Sequence, residues 1–281
     1  MNYEEFKNTI IKELPIYLPT QYQKWEIHLT ECIKVNGFRE MIHVIPPEEC
    51  VASPNIYLDD LYEFYETFGS IEKACQRAAA YFVAGMDYLS DYEMCSAEKF
   101  SEDQVIFCLV PQNGNERLLA SVPHRLTMDL AVIYRIVVET KEGAMNSAII
   151  TKDIADEMKV TEDRLYQLAM INTPVFMPPD VRAGDGPFLL LTNQRKVLGA
   201  SVMLYPGLLA MLAEELKSDL FILPSSLHEV LIMPDEGQDV QGMNRVIAEA
   251  NHSVIPKEDI LSDHAYYYHR ETDQVCVPKW E

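Results

Sequence analysis

Apolar positions four apart open the chain. Phe6, Ile10 and Leu14 sit between charged neighbours and predict a short acidic helix over residues 2–14, stopped by Pro15. From Trp25 the period changes to two: Trp25, Ile27 and Leu29 share one parity, Asn36-Gly37 offers a two-residue turn, and residues 38–45 return as a second strand ended by Pro46-Pro47. Residues 56–68 mix Tyr57, Tyr62, Phe64, Tyr65 and Phe68 with four carboxylates. That composition suits a partner-binding face, although an amphipathic helix packed on a sheet explains it as well. Ser70 then caps a helix whose stripe runs Ile71, Ala74, Cys75, Ala78, Ala79, Phe82, Val83 and Met86.

Beyond a polar, acidic stretch over residues 90–103 the texture changes. Residues 105–110 and 129–138 are apolar on both parities, the second being the most strand-like in the chain, which implies a central strand covered on both faces. Thr151 and Thr161 cap helices, the second over residues 162–171. Pro174, Pro178 and Pro179 predict an irregular loop through Gly186. Strands follow at 188–191, 199–204, 220–223 and 229–233, with helices opening at Pro206 and over 240–251. A closing hairpin spans 266–269 and 275–277. The expected architecture is α+β: a mixed β-sheet flanked by helices, with a smaller N-terminal helix and β-hairpin portion. It divides as residues 1–100 and 101–281, or forms one continuous domain.

The net charge of −21, from 44 acidic and 23 basic residues, is spread along the whole chain. Evenly spread charge speaks for solubility and against direct nucleic-acid binding or an anionic membrane surface, both of which need basic clusters. An acidic mimic of nucleic acid is a further reading of the same charge. The six cysteines form no C-x-x-C pair, the N-terminus shows no basic-then-apolar leader, and no apolar run approaches about 18 residues. A reducing cytoplasm is the expected compartment.

The densest chemistry lies in Pro224-Ser225-Ser226-Leu227-His228-Glu229, between two apolar runs. Extended, it would place Ser226 and His228 on one face as nucleophile and base, with Glu229 beside them. Yet there is no G-x-S-x-G elbow, and His228-Glu229 lacks the second histidine of H-E-x-x-H. The alternative is a strand connection whose polar groups satisfy backbone. His124 and Arg125, ahead of the central strand, would clamp a carboxylate or phosphate, or else make an internal salt bridge. Asn172 and Asn193 are candidate ligand contacts alongside Ser225; as structure they would be a helix cap and a strand-end turn. His264 and His269 flank three tyrosines that would stack on a ligand or form an amphipathic edge strand. No metal site, cofactor site, G-x-G-x-x-G or P-loop is expected.

The segments PHRLTMDLAVIYR (123–135), ITKDIADEMKVTEDRLYQLAMINTP (150–174), LTNQRKVLGASVMLYPG (191–207) and SDLFILPSSLHEV (218–230) resemble a bacterial family of unknown function, numbered 5688 among such domains and met in gut anaerobes. The resemblance spans the chain, is densest over 123–234, and rests on His124, Arg125, Asn172, Thr173, Thr192, Asn193, Ser225, Ser226, His228 and Glu229. It implies that these clusters converge, without implying a reaction. The expected function is a non-catalytic binding or regulatory protein recognising another protein; the rival is a hydrolase or transferase using Ser226, His228, His124 and Arg125.

Overall fold

The structure, a computed structural model, describes residues 1–45, 53–90, 101–139, 145–184 and 186–278. They divide into two compact units, one of residues 1–34, 38–45 and 53–90, the other of residues 35–37 and those from 101 onward. The expected boundary stretch at 90–103 and the Pro46-Pro47 stop fall largely outside the described residues.

In the first unit, helix α1 (Tyr3–Tyr17) begins with a capping box in which Asn2 and Glu5 satisfy each other's backbone N–H groups. Its Phe6, Ile10 and Leu14 are buried, as their spacing requires. Pro15 does not stop it: the helix runs two residues further, because a proline this close to the end forfeits a single hydrogen bond. Strands β1 (Glu26–Lys34), β2 (Gly37–Ile45) and β3 (Ile56–Tyr57) form a three-stranded sheet. Asn36 supplies the left-handed turn, at φ +61°. Helices α2 (Leu58–Phe68) and α3 (Ile71–Ser90) bury Leu61, Ala74, Cys75, Ala78 and Phe82 against α1 and the sheet. Ser70 Oγ accepts the Lys73 N–H at 3.2 Å.

The second unit holds two sheets. One orders β4 (Val105–Pro111), β6 (Leu130–Glu139) and β5 (His124–Thr127), with β7 (Met145–Ile149) also paired to β6. The other orders β13 (Gln274–Cys276), β12 (Tyr266–His269), β10 (Leu220–Ser226), β11 (Glu229–Pro234), β9 (Leu189–Asn193) and β8 (Pro179–Ala183). The fold is α+β, and its sheets are antiparallel rather than mixed. Helices α4 (Glu116–Ser121), α5 (Lys152–Glu157), α6 (Glu162–Phe176), α7 (Leu208–Leu216) and α8 (Val240–Ser253) complete it. One core joins Phe107 and Tyr134 of the first sheet to Ile222, Val230, Tyr266 and Tyr268 of the second, with Leu165 of α6 and Leu209 of α7. The other face of β10 turns Phe221 and Leu223 toward Val240 and Ile247 of α8, so this strand is apolar on both parities.

Three expectations in this unit are corrected. The prolines after residue 171 do not make a loop: α6 continues through Pro174 to Phe176, and Pro179 begins β8, an edge strand that tolerates a missing N–H. Residues 199–204 form a 3-10 turn instead of a strand, entered through Leu198 in the left-handed region at φ +53°. Pro206 precedes α7 by two residues, and the helix is entered through Gly207 at φ +75°. Among the described residues, no helix is long and apolar enough to cross a membrane.

Candidate functional site

The β10–β11 connection carries the polar block that stands out in the sequence. Pro224 and Ser226 bracket a register shift at the end of β10, so residues 224–226 belong to the strand and Leu227-His228 forms the turn. His228 accepts the Leu198 N–H at Nδ1, 3.0 Å away. That fixes the tautomer: the proton lies on Nε2, which faces Asp259 Oδ1 at 3.2 Å. Ser226 Oγ in turn accepts the backbone N–H of His228 at 3.0 Å. Both ring nitrogens are therefore engaged away from Ser226, and the arrangement gives that hydroxyl no base. Ser225 Oγ donates to Glu229 at 3.0 Å.

Around this turn, backbone is tied to backbone. Leu227 donates to Asp259 O at 2.7 Å and its carbonyl accepts from Ala200 at 3.1 Å. Thr192 Oγ1 donates to the His228 carbonyl at 2.7 Å. Gly199 lies so close that a Cβ there would stand 2.1 Å from Thr192 Oγ1 and 2.3 Å from His228 O. Next to Thr192, the fully buried Asn193 makes a turn of its own, donating to Val197 O at 2.8 Å and accepting the Arg195 N–H at 3.0 Å. Two of the polar islands thus meet: Thr192-Asn193 and Ser225 to Glu229.

The other two have separate partners. Asn172 does not cap a helix end. It lies inside α6 and donates to the carbonyls of Glu102 and Val105, at 2.8 and 3.0 Å. Thr173 beside it accepts the Phe107 N–H at 3.0 Å. Strand β4 is a buried edge of its sheet, and these side chains supply the partners that a neighbouring strand would have given. Arg125 forms the internal salt bridge with Glu162, through Nε at 3.2 Å and Nη2 at 2.8 Å. Asp163 adds to the pair, and the ring of Tyr166 lies 4.0 Å beneath the guanidinium. The buried Tyr134 hydroxyl donates to the same Glu162; burial first, and then that carboxylate, raise its pKa. His124 Nδ1 lies 3.1 Å from Val122 O.

A cleft of about 500 Å³ in this unit is lined by other residues, among them Gln112, Asn113, Asp129, Lys257, Asp263 and His264. On its wall both ring nitrogens of His264 face acceptors: Nδ1 meets Ala265 O at 3.0 Å and Nε2 meets Asp129 Oδ2 at 2.9 Å. Only the doubly protonated ring satisfies both. The hydrogen bond to Asp129 leads in raising the pKa of His264, against the opposing effect of burial. For Asp129, burial pushes the pKa up, but the hydrogen bonds from His264 and Tyr266 outweigh it and hold the carboxyl below its ordinary range. The sequence offered no spacing signal for this cluster, since its two halves lie 135 residues apart.

A family model described as a family of unknown function (DUF5688) matches residues 3–183 and 182–270. No curated protein and no solved structure matches.

Proposed function

This chain belongs to the family of unknown function DUF5688, and from that premise we propose that it is a non-catalytic binding protein that recognises another protein. The observation that carries the reading is the state of the β10–β11 turn. Ser226 is an acceptor for backbone, and the His228 ring is spent between the Leu198 amide and Asp259. A reactive dyad needs the opposite arrangement, an imidazole nitrogen open toward the hydroxyl. Arg125 is likewise taken up by Glu162 and Asp163, and His124 turns Nδ1 to the Val122 carbonyl.

A reducing cytoplasm is the proposed setting. Cys32, Cys75, Cys108 and Cys276 are free thiols, and burial pushes the Cys75 thiol up to about 11 and raises that of Cys108, which leaves both unreactive.

The test is native purification at physiological salt, followed by a turnover screen of ester, amide, phosphoester and glycoside substrates with the wild type and His228→Asn. The expected outcome is a protein that copurifies in stoichiometric amount and no hydrolysis by either form. Turnover that disappears in a folded His228→Asn variant would refute the reading, as would repeated recovery of the chain alone.

A further inference from the structure

The cleft of about 500 Å³ in the second unit is lined by the β4–α4 loop at residues 111–114, by Asp129 of the β5–β6 turn, and by residues 257 and 260–264 on the way into β12. Its volume is that of a small-ligand site. Pro111, Ile260 and Leu261 give it apolar surface, and its charged side chains are of both signs: Asp129, Asp263, His264 and Lys257.

Most polar groups of the lining are engaged within the protein. The two N–H groups of the His264 ring go to Ala265 O and Asp129 Oδ2. Ser262 Oγ accepts the His264 backbone N–H at 3.3 Å. The side-chain nitrogen of Gln112 donates to Met128 O and Leu130 O, both at 3.0 Å. What is left over is divided by charge. Asp129 takes one donor on each oxygen, from Tyr266 and from His264, and its side chain is 47% exposed, so each oxygen keeps a lone pair. Asp263 gives Oδ1 to Asn251 at 2.7 Å and keeps Oδ2; it also lies close enough to His264 to favour the charged ring. Lys257 has three ammonium protons and no hydrogen bond or ion pair from them among the described residues.

These remainders select a ligand. His264 is neutralised by Asp129 and has no proton to offer. A purely anionic ligand on Lys257 would meet the carboxylates of Asp129 and Asp263, and a purely cationic one on those carboxylates would meet Lys257. A molecule with both charges matches both ends of the lining. We propose that the cleft binds a free amino acid. Its ammonium is held by the Asp129 and Asp263 carboxylates, its carboxylate by Lys257, and its side chain lies against Pro111, Ile260 and Leu261. This site is additional to the protein-binding reading and stands or falls without it.

The experiment follows the backbone amide resonances of the full chain by NMR while each of the common L-amino acids is added, up to about 10 mM. The amino acids that bind are then compared with their N-acetyl and methyl ester derivatives, on the wild type, on Lys257→Ala and on Asp263→Asn, which keeps an acceptor for Asn251. The same spectra check that each variant is folded. The expected result is saturable binding by at least one amino acid, with shifts at residues 111–114 and 257–264. Acetylation and esterification should each weaken binding about tenfold or more. Lys257→Ala should weaken the free amino acid about tenfold and leave its methyl ester unaffected; Asp263→Asn should weaken it likewise and leave the N-acetyl form unaffected. The proposal is overturned if no amino acid binds saturably in that range, or if the shifts lie elsewhere. It is also overturned if either derivative binds as well as the parent, if agmatine or acetate binds more tightly, or if Lys257→Ala weakens ester and free acid alike.

Discussion

At the residue scale, Thr173 is held by what it does for another element. Its hydroxyl donates to Ala169 O at 2.6 Å and accepts the Phe107 N–H at 3.0 Å, fully buried. Thr173→Val keeps the shape and strands that amide, so urea unfolding should show a loss of about 1–3 kcal/mol, which Thr173→Ser largely restores. A neutral Thr173→Val would mean the edge of β4 is satisfied otherwise. His264 and Asp129 make a pH-dependent pair, faced also by Tyr266, Asp263 and Lys257. The His264 pKa is raised, so its contribution is complete below the unfolded value and fades as pH climbs through the folded one. The Asp129 pKa is lowered, so its contribution is present above the unfolded carboxylate value and disappears as pH falls through the folded one. The link is therefore strongest between those limits. In Asp129→Asn, NMR titration should find the His264 pKa shifted downward; an unmoved titration would show that Asp129 does not hold the proton in place. Residue identity made the His228 island visible in the sequence. Its duty was not visible, because Leu198 and Asp259 lie 30 and 31 residues away.

At the scale of elements, glycines separate tight packing from open turns. A Cβ at Gly199 would overlap Thr192 Oγ1 and the His228 carbonyl, whereas Gly37 has nothing within 4 Å. Gly199→Ala should cost about 3 kcal/mol or more, because backbone has to move, and Gly37→Ala well under about 1 kcal/mol. Chemical denaturation of the two variants checks this, and similar midpoints would contradict the close approach of the 3-10 turn to β9 and β11. Period and capping made most elements legible: Ser70, Thr151 and Thr161 cap helices as the sequence predicts, by hydrogen bonds local to each helix, whereas Asn2, inside the predicted helix, is the cap of α1. The prolines misled. Pro15 and Pro174 fall in the last turn of their helices, where each forfeits a single hydrogen bond, and Pro179 lies on a sheet edge, where a missing N–H is tolerated; only tertiary placement reveals that. Asn172 read as a cap for the same reason: the strand edge it serves is 67 residues away.

For the whole molecule, the even spread of acid sets the response to salt. A net charge of −21 repels itself over a Debye length of about 30 Å at 0.01 M salt, and screening relieves this. The melting temperature should rise between about 0.01 and 0.3 M sodium chloride; a fall would mean that the surface ion pairs outweigh the repulsion. The α+β class was readable from alternating and helical periods, and the antiparallel pairing was not, since it depends on which strands meet. The proposal that the polar islands serve the scaffold, leaving binding to the surface, is tested most directly by amide hydrogen exchange at Leu198. In His228→Ala the Leu198 amide loses its acceptor, and its exchange should accelerate at least about tenfold together with residues 199–204, while α8 remains as protected as in the wild type. Unchanged protection at Leu198 would contradict that proposal, because the imidazole would then be unnecessary to the turn and free for chemistry on a bound molecule.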